Sequence, residues 1–237
     1  MPAINYEIPK PQSSPDWEKL IAATRKRFDK EYKQESFDLP DEIEAMPLFR
    51  EWVGHTLSSR TSSPFWEIAQ FKKNLHCLDI GCGVSFLIYP WNDWNVYFHG
   101  LEISTVARDA LNSRGSQLNS KLFKGVELGN AHQLPYENDS FDRAVATGFS
   151  CYYPIEYWQM VLQEAKRVLK PGGVLVFDAI DPNSEIAENW AILETYLGAE
   201  VFLTPLKEFE AIAANIGRIS TQREGELFKM YRLTMPK

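Results

Sequence analysis

The strongest constraint on the fold of this chain is an apolar run that ends in a glycine turn, Leu78–Gly83, with the sequence LDIGCG. Glycines directly after an apolar strand let the backbone turn sharply and approach a ligand closely. In open α/β sheets, ligands lie at the carboxyl ends of the strands, where such turns occur. The segment therefore favours an α/β fold with a binding site at this turn, although a Gly-x-Gly turn also occurs for purely structural reasons.

From Leu75 onward, short apolar runs alternate with amphipathic stretches, a pattern typical of βα units on a parallel sheet. Two late runs, 218–222 and 227–234, are joined through Gly225 and are predicted to form an antiparallel hairpin at the sheet edge. We therefore predict a seven-stranded, mostly parallel sheet with helices on both faces. The other predicted strands are His76–Ile80, Val96–Leu101, Leu122–Val126, Arg143–Thr147 and Val174–Asp178, and the predicted helices here are Glu156–Leu169 and Leu206–Ala214.

The first seventy residues show a different pattern, in which prolines precede apolar residues at helical spacing. Proline fits the first position of a helix because the amide it lacks would have no partner there. The pattern predicts amphipathic helices over residues 15–33, from Pro47, and after Ser63-Pro64, with Ser14 capping the first. Their apolar faces need a partner, so we expect residues 1–70 to form a helical cap packed on a core domain of residues 71–237.

The composition excludes several classes of protein. No apolar run approaches the roughly 18 residues that span a membrane, and the N-terminus lacks the basic-then-apolar order of a secretory signal. Cys77, Cys82 and Cys151 form neither a disulfide framework nor a Cys-x-x-Cys metal pair. Because unpaired thiols are typical of a reducing compartment, we expect a cytoplasmic protein with no membrane partner and no metal site.

The charge balance disfavours nucleic acid as a partner. The chain has 25 basic and 32 acidic residues, so its net charge of −7 repels phosphate backbones. The densest basic cluster, Arg25–Arg27, is interleaved with Asp29 and Glu31. We interpret this cluster as a solvated helix face.

Glu102 follows the second predicted strand, 19 positions after Gly83. A carboxylate at this place can accept hydrogen bonds from both hydroxyls of a ribose. A dinucleotide fingerprint would need a third glycine where Phe86 stands, so we predict that the turn holds an uncharged part of the ligand instead of a pyrophosphate. Glu102 could alternatively cap the next helix, but Ser104 can already do so.

Five motifs stand in a fixed order along residues 79–173. The motifs are Asp79–Gly83 (DIGCG), Glu102, Gly129–Tyr136 (GNAHQLPY), Ser140–Asp142 (SFD) and Arg167–Gly173 (RVLKPGG). Their order and spacing resemble those of the class I S-adenosylmethionine-dependent methyltransferases, in particular the small-molecule branch of that family. The resemblance covers residues 70–180, and the edge hairpin continues it.

The resemblance implies S-adenosylmethionine as the cofactor and S-adenosylhomocysteine as the product. Asp79 and Gly81 would flank the methionine part, and Glu102 would hold the ribose. Asn130, where the family usually has Asp, and the Ala131 amide would recognise adenine, because a side-chain acceptor beside a backbone donor matches its edge. The cofactor site would then lie wholly in the core domain. Further predicted cofactor contacts are Gly83, Ile103, His132, Thr147 and Gly148.

An aromatic segment, residues 148–154 (GFSCYYP), follows the fourth predicted strand. Methyl transfer is an in-line displacement that needs positioning and exclusion of water more than acid or base. Tyr152 and Tyr153 are therefore the candidate catalytic residues, as walls of the substrate site, and a role for either in the core is equally compatible with the sequence.

The predicted function is methyl transfer to a small-molecule acceptor in an aromatic pocket. The family builds this pocket from the segments that correspond to residues 17–66 and 181–204. The alternatives are an RNA or protein methyltransferase, and a non-catalytic binding module with the same fold. The aromatic residues of these segments, which could also form the contact between cap and core, include Trp17, Trp52, Trp66, Trp190 and Tyr196.

Overall fold

A seven-stranded sheet forms the centre of the computed structural model, which describes residues 17–117 and 121–237. The strands are β1 (His76–Ile80), β2 (Tyr97–Glu102), β3 (Phe123–Leu128), β4 (Phe141–Ala146), β5 (Leu169–Ile180), β6 (Arg218–Glu224) and β7 (Phe228–Thr234). Their order is β3-β2-β1-β4-β5-β7-β6. Strands β1 to β5 are parallel, and β7 pairs antiparallel with β5 and β6. The predicted fold class is confirmed.

Helices precede the sheet and connect its strands. Helix α8 (Ile155–Val168) shows why they form: its apolar residues recur at helical spacing, and the residues on that face are buried. It ends at Val168, so Pro171 and the two glycines after it lie within β5 and do not stop the helix as expected. The helices are α1 (Trp17–Tyr32), α2 (Asp41–Glu44), α3 (Pro47–Val53), α4 (Leu57–Thr61), α5 (Trp66–Ala69), α6 (Trp91–Trp94), α7 (Thr105–Gln117), α8 (Ile155–Val168), α9 (Ala187–Leu197) and α10 (Leu206–Ala214).

Two apolar cores cover the two faces of the sheet. Successive side chains of a strand point to opposite faces, and along β1 Leu78 joins one core while Cys77 joins the other. Phe86, which follows the glycine turn, is fully buried in the second core against Phe98. Burial on both faces explains why the central strands are continuous apolar runs.

The N-terminal helix α1 packs against α8 and the segment after β4 through aromatic contacts. The ring of Trp17 meets Tyr157 edge-on at 5.5 Å, and Phe28 meets Tyr152 in the same way at 5.3 Å. The Ser104 hydroxyl donates a hydrogen bond to Asp29 of this helix. The predicted start of the helix at Ser14 and Pro15 lies outside the described residues.

One basic residue of α1 corrects the sequence interpretation. Arg25 and Lys26 are exposed as expected, but Arg27 is only 3% exposed. Its Nε and Nη2 donate to the Glu194 carboxylate of α9 at 2.8 and 2.9 Å, and its Nη1 donates to Glu31. A guanidinium can be buried here because two carboxylates compensate its charge.

The topology places a crevice at one end of the sheet. The chain order reverses between β1 and β4, and the carboxyl ends of parallel strands at such a switch point form a ligand-binding crevice.

Within residues 17–117 and 121–237, no helix is long and apolar enough to cross a membrane. In the same residues, no cluster of three or more His, Cys, Asp or Glu side chains could hold a metal ion.

Candidate functional site

A cavity of about 300 Å³, here called the small cavity, lies over the glycine turn at the carboxyl ends of β1 and β2. The turn is fixed by its backbone, because the amides of Gly81 and Cys82 both donate to the Leu101 carbonyl, at 2.9 and 3.1 Å. Gly81 has a φ of +72°, and a Cβ there would lie 3.1 Å from the Phe149 ring. Glycine is therefore required both by the backbone and by the neighbouring ring.

Most of the predicted cofactor contacts meet around this cavity. Asn130 and His132 are the two that do not line it. The eight that do are Asp79, Gly81, Gly83, Glu102, Ile103, Ala131, Thr147 and Gly148.

Glu102 ties the end of β2 to the glycine turn. One carboxylate oxygen accepts the Ser104 amide at 2.9 Å and the other accepts the Gly83 amide at 3.1 Å. Burial raises the pKa of Glu102, and these amides oppose the shift. The Ser104 hydroxyl, in turn, accepts the Ala107 amide at 3.0 Å and caps α7. Ser104 thus has the capping role, and the remaining lone pairs of Glu102 are available to a ligand.

Asp79 provides a second carboxylate beside the cavity. It is 2% exposed, and burial raises its pKa to about 7, an effect that the nearby Glu102 charge increases. The Tyr89 hydroxyl donates to it at 2.8 Å and opposes the shift. Sequence reasoning missed Tyr89, because it lies in the irregular stretch between a 3-10 turn at Val84–Ile88 and α6, where no periodic pattern marks it.

The loop that contains Asn130 and His132 lies beside the small cavity, but neither of these two residues lines it. The Asn130 carbonyl accepts the Gln133 amide at 3.1 Å, which closes the loop. His132 Nδ1 lies 3.2 Å from the Tyr157 hydroxyl, and burial lowers the pKa of His132. Tyr157 does line the cavity, so His132 contacts the site through it.

Helix α1 forms one wall of the small cavity, which the sequence did not predict. Thr24, Phe28, Glu31 and Tyr32 all line it. The expectation that this site lies wholly in the core domain is therefore wrong. The apolar spacing along α1 indicated a packed face, but its polar members gave no sign of which surface they would meet.

A second cavity of about 640 Å³, here called the aromatic cavity, adjoins the small one. Phe28, Glu31 and Gly148 line both, so the two spaces meet at these residues. The lining comes from α1, the loop after it, α3, α4 and α9, with Gly148 and Tyr152 from the segment after β4 and Phe228 from β7. Its aromatic side chains are Phe28, Phe37, Phe49, Trp52, Tyr152, Trp190 and Phe228.

Only part of the aromatic set identified from the sequence reaches this cavity. Trp52 and Trp190 line it. Trp17 packs on Tyr157 instead. Trp66 and Tyr196 do not line this cavity and are 43% and 51% exposed. The structure thus places two of the five residues in this cavity and one, Trp17, in the packing of α1.

Tyr152 and Tyr153 face different spaces. Tyr152 lines the aromatic cavity, and Tyr153 lines the small cavity, where its ring stacks on Tyr157 at 4.2 Å. Burial raises the pKa of both phenols. Each ring can form a wall of its cavity, and each hydroxyl can donate a hydrogen bond there.

Asp178, at the end of β5, holds the backbone where the two cavities meet. The Gly148 amide donates to its carboxylate oxygens at 3.0 and 2.9 Å, and the Ser63 hydroxyl donates at 2.6 Å. Burial raises the pKa of Asp178 to about 7, against the effect of these two donors. The sequence placed Asp178 only as the last residue of a strand, since an isolated acidic residue in an apolar run carries no signal of its partners.

Comparisons with known proteins identify relatives of part of this chain. Residues 78–177 match a family model described as a methyltransferase domain. A sterol 4-C-methyltransferase from Caenorhabditis elegans is 29% identical over 124 residues, which are 52% of this chain and 36% of that protein. The chain thus spans about a third of the length of this relative.

Two solved structures share the fold. The PH0226 protein from Pyrococcus horikoshii superposes with a TM-score of 0.63 at 16% identity, over 84% of this chain and all of that one. A geranyl diphosphate C-methyltransferase from Streptomyces coelicolor, solved with Mg²⁺, geranyl diphosphate and S-adenosyl-L-homocysteine, superposes with a TM-score of 0.64 at 12% identity, over 94% and 100%.

Proposed function

Residues 78–177 are a methyltransferase domain of the class I, S-adenosylmethionine-dependent type, and from this premise we propose that the protein transfers a methyl group from S-adenosylmethionine to a small molecule. The observation that carries the proposal is the junction of the two cavities at Phe28, Glu31 and Gly148. A methyl donor in the small cavity would there face an acceptor in the aromatic cavity.

The residues of the small cavity fit the proposed cofactor. Gly81 leaves room for a close approach to the backbone, and the unpaired oxygen lone pairs of Glu102 suit the two ribose hydroxyls. Asp79 and Glu102 favour a positively charged ligand, because a cation beside them would oppose the burial that raises their pKa values. When bound, S-adenosylmethionine supplies a methyl group activated by a sulfonium centre.

The chain's own residues would act by position and by excluding water. Phe28, Tyr152 and Tyr153 enclose the space around the junction, and aromatic faces beside a cation contribute about 0.5–2 kcal/mol. Asp178 fixes the Gly148 backbone between the cavities. Holding two reactants in a near-attack geometry can supply roughly 7–11 kcal/mol of the barrier, so no strong base is needed for the transfer itself.

We also propose a domain organisation, a location and an acceptor class. Residues 1–70 would act as a cap over a core of residues 71–237, supported by the contacts of Arg27 with Glu194 and of Ser63 with Asp178. A cytoplasmic location is supported by three buried, unpaired cysteines. A small molecule, and not nucleic acid, is favoured as the acceptor by the net charge of −7.

Calorimetric titration of the full-length protein with S-adenosylhomocysteine tests the proposal. We expect binding, and we expect Glu102→Ala to weaken it by roughly 1.5–3 kcal/mol, the range for hydrogen bonds to a charged group. Glu127→Ala is the matched control, because Glu127 is an exposed glutamate on the adjacent strand β3. No binding to the parent protein would refute the proposal, and equal affinities for the parent and Glu102→Ala would refute the ribose assignment.

A further inference from the structure

The charges that line the aromatic cavity are unbalanced. Arg27 is its permanent cation, and Glu31, Glu35 and Glu194 are its carboxylates, while His55 lies exposed at the outer part. Glu35 is exposed and lies 4.0 Å from Lys33 at the rim. The inner part of the cavity therefore has two carboxylates around a single guanidinium.

Arg27 has little capacity left for an anionic ligand. Two of its nitrogens donate to Glu194 and a third to Glu31, and its guanidinium lies 4.6 Å above the Phe28 ring. Burial alone would lower the pKa of Arg27, but Glu194 raises it above its ordinary value, so the charge is permanent and compensated. A carboxylate or phosphate in this cavity would meet two glutamates, and the one lysine or arginine among the described lining residues, Arg27, is already paired with them.

Glu31 is the carboxylate placed to act on an acceptor. It lines both cavities, and its side chain is 41% exposed, whereas Glu194 is 6% exposed and bound on both oxygens by Arg27. Glu31 shares only one of its oxygens with Arg27. Its second oxygen is available at the place where donor and acceptor would meet.

We infer that the acceptor is an amine on an aromatic or apolar scaffold, with its nitrogen held by Glu31. This inference rests on the proposed function and names the class of its substrate. The aromatic walls bury the scaffold and favour a cation, and the excess carboxylate pairs with the ammonium group. The same arrangement disfavours phenolate, carboxylate and phosphate acceptors.

The transfer balances with water as the proton acceptor and with Glu31 as the group that positions the nitrogen. The ammonium gives one proton to water at the exposed side of Glu31, which exposes the nitrogen lone pair. That lone pair forms the new N–C bond, while the electron pair of the breaking S–C bond stays on sulfur. The acceptor becomes a methylated ammonium, which pairs with Glu31 until it leaves.

Three probes with one scaffold test the charge preference. The full-length protein, saturated with S-adenosylhomocysteine, is titrated calorimetrically with phenethylamine, 2-phenylethanol and 3-phenylpropionate. We expect the amine to bind at least about tenfold more tightly than the alcohol or the carboxylate, a difference of about 1.4 kcal/mol. Glu31→Gln should reduce this preference to less than about threefold in protein saturated with S-adenosylhomocysteine.

Glu18→Gln is the matched control. Glu18 is exposed on the same helix and lines neither cavity, so its substitution removes the same charge at a distance from the proposed site. It should keep the preference for the amine. Circular dichroism checks that Glu31→Gln folds, as expected because Arg27 keeps its two bonds to Glu194.

The possible failures are distinguishable. If the protein binds S-adenosylhomocysteine but binds the alcohol or the carboxylate as well as the amine, or binds no probe, the amine assignment is wrong and the cofactor site stands. If Glu31→Gln weakens S-adenosylhomocysteine and leaves the amine preference intact, Glu31 belongs to the cofactor site. If S-adenosylhomocysteine itself does not bind, the proposed function is refuted, and the inference loses its premise.

Discussion

The two cavities of this protein are built in different ways. The small cavity lies on a backbone turn at the ends of β1 and β2, and the amides of Gly81, Cys82 and Gly83 are fixed by Leu101 and Glu102. The aromatic cavity consists of side chains from helices far apart in the chain, such as Trp52 of α3 and Trp190 of α9. A binding site made of backbone depends on a local motif, whereas one made of side chains depends on how distant elements pack.

The junction between the cavities combines both kinds of construction. Gly148 is a backbone element with a φ of +79°, and it is held by the side chain of Asp178, which also binds Ser63. Changes at the junction, in the small cavity and in the aromatic cavity should therefore have separable effects.

The largest effect is expected at the junction. The pKa of Asp178 is raised from 3.8 to about 7, so between these values the folded protein keeps a proton that the unfolded chain has lost. The contribution of the Asp178 proton to the free energy of unfolding is fully present below about pH 4. It decreases by up to about 1.4 kcal/mol per pH unit above that and is lost as the pH rises through 7. Asp178→Asn should remove the part of the pH dependence that Asp178 contributes, as measured by urea unfolding at a series of pH values, while Asp79, whose pKa is also raised to about 7, keeps its own part.

Asp38→Asn is the control for this measurement, because Asp38 is exposed. It should change the pH dependence little. Parallel curves for the parent and Asp178→Asn would mean that Asp178 is ionised in the folded protein across this range, and that the junction does not titrate.

A smaller effect is expected from Gly81→Ala, which changes only the small cavity. A left-handed backbone costs roughly 1–2 kcal/mol for a residue with a Cβ. The added methyl group must also displace Phe149, so affinity for S-adenosylhomocysteine should fall at least about tenfold. Gly198→Ala is the control, because Gly198 has a φ of +104° and an added Cβ there meets no atom within 4 Å.

Chemical unfolding and calorimetry separate the two contributions. Both glycine variants should lose stability, but only Gly81→Ala should lose affinity for S-adenosylhomocysteine. If Gly198→Ala lost as much affinity, strain alone would explain the result and the close approach at Gly81 would be irrelevant.

The smallest effect is expected from Trp52→Ala, which changes only the aromatic cavity. Distant sites without shared partners are independent within about 0.3–0.5 kcal/mol, so the affinity for S-adenosylhomocysteine should change by no more than about twofold. The affinity for phenethylamine should fall, because Trp52 contributes an aromatic wall.

Trp66→Ala, which removes an indole outside both cavities, should change neither affinity. A large loss of cofactor affinity in Trp52→Ala would show that the two cavities are coupled.

The sheet could be read from the sequence because its signals are local. The predicted strand His76–Ile80 matches β1, and the predicted helix Leu206–Ala214 matches α10, since apolar periodicity and turn residues lie within the segments themselves. The end of α8 was less well placed, because the chain passes directly from helix into β5 without a turn that the sequence marks.

The sequence by itself determined the α/β architecture and the position of the small cavity, because a glycine turn and the carboxylate of Glu102 are specified by neighbouring residues. Tertiary structure alone decided that Arg27 is buried, that α1 closes the small cavity, and that Glu31 and Asp178 stand where the cavities meet. The physical reason is that a charged side chain is placed by its partners, and Glu194 lies 167 residues from Arg27 along the chain.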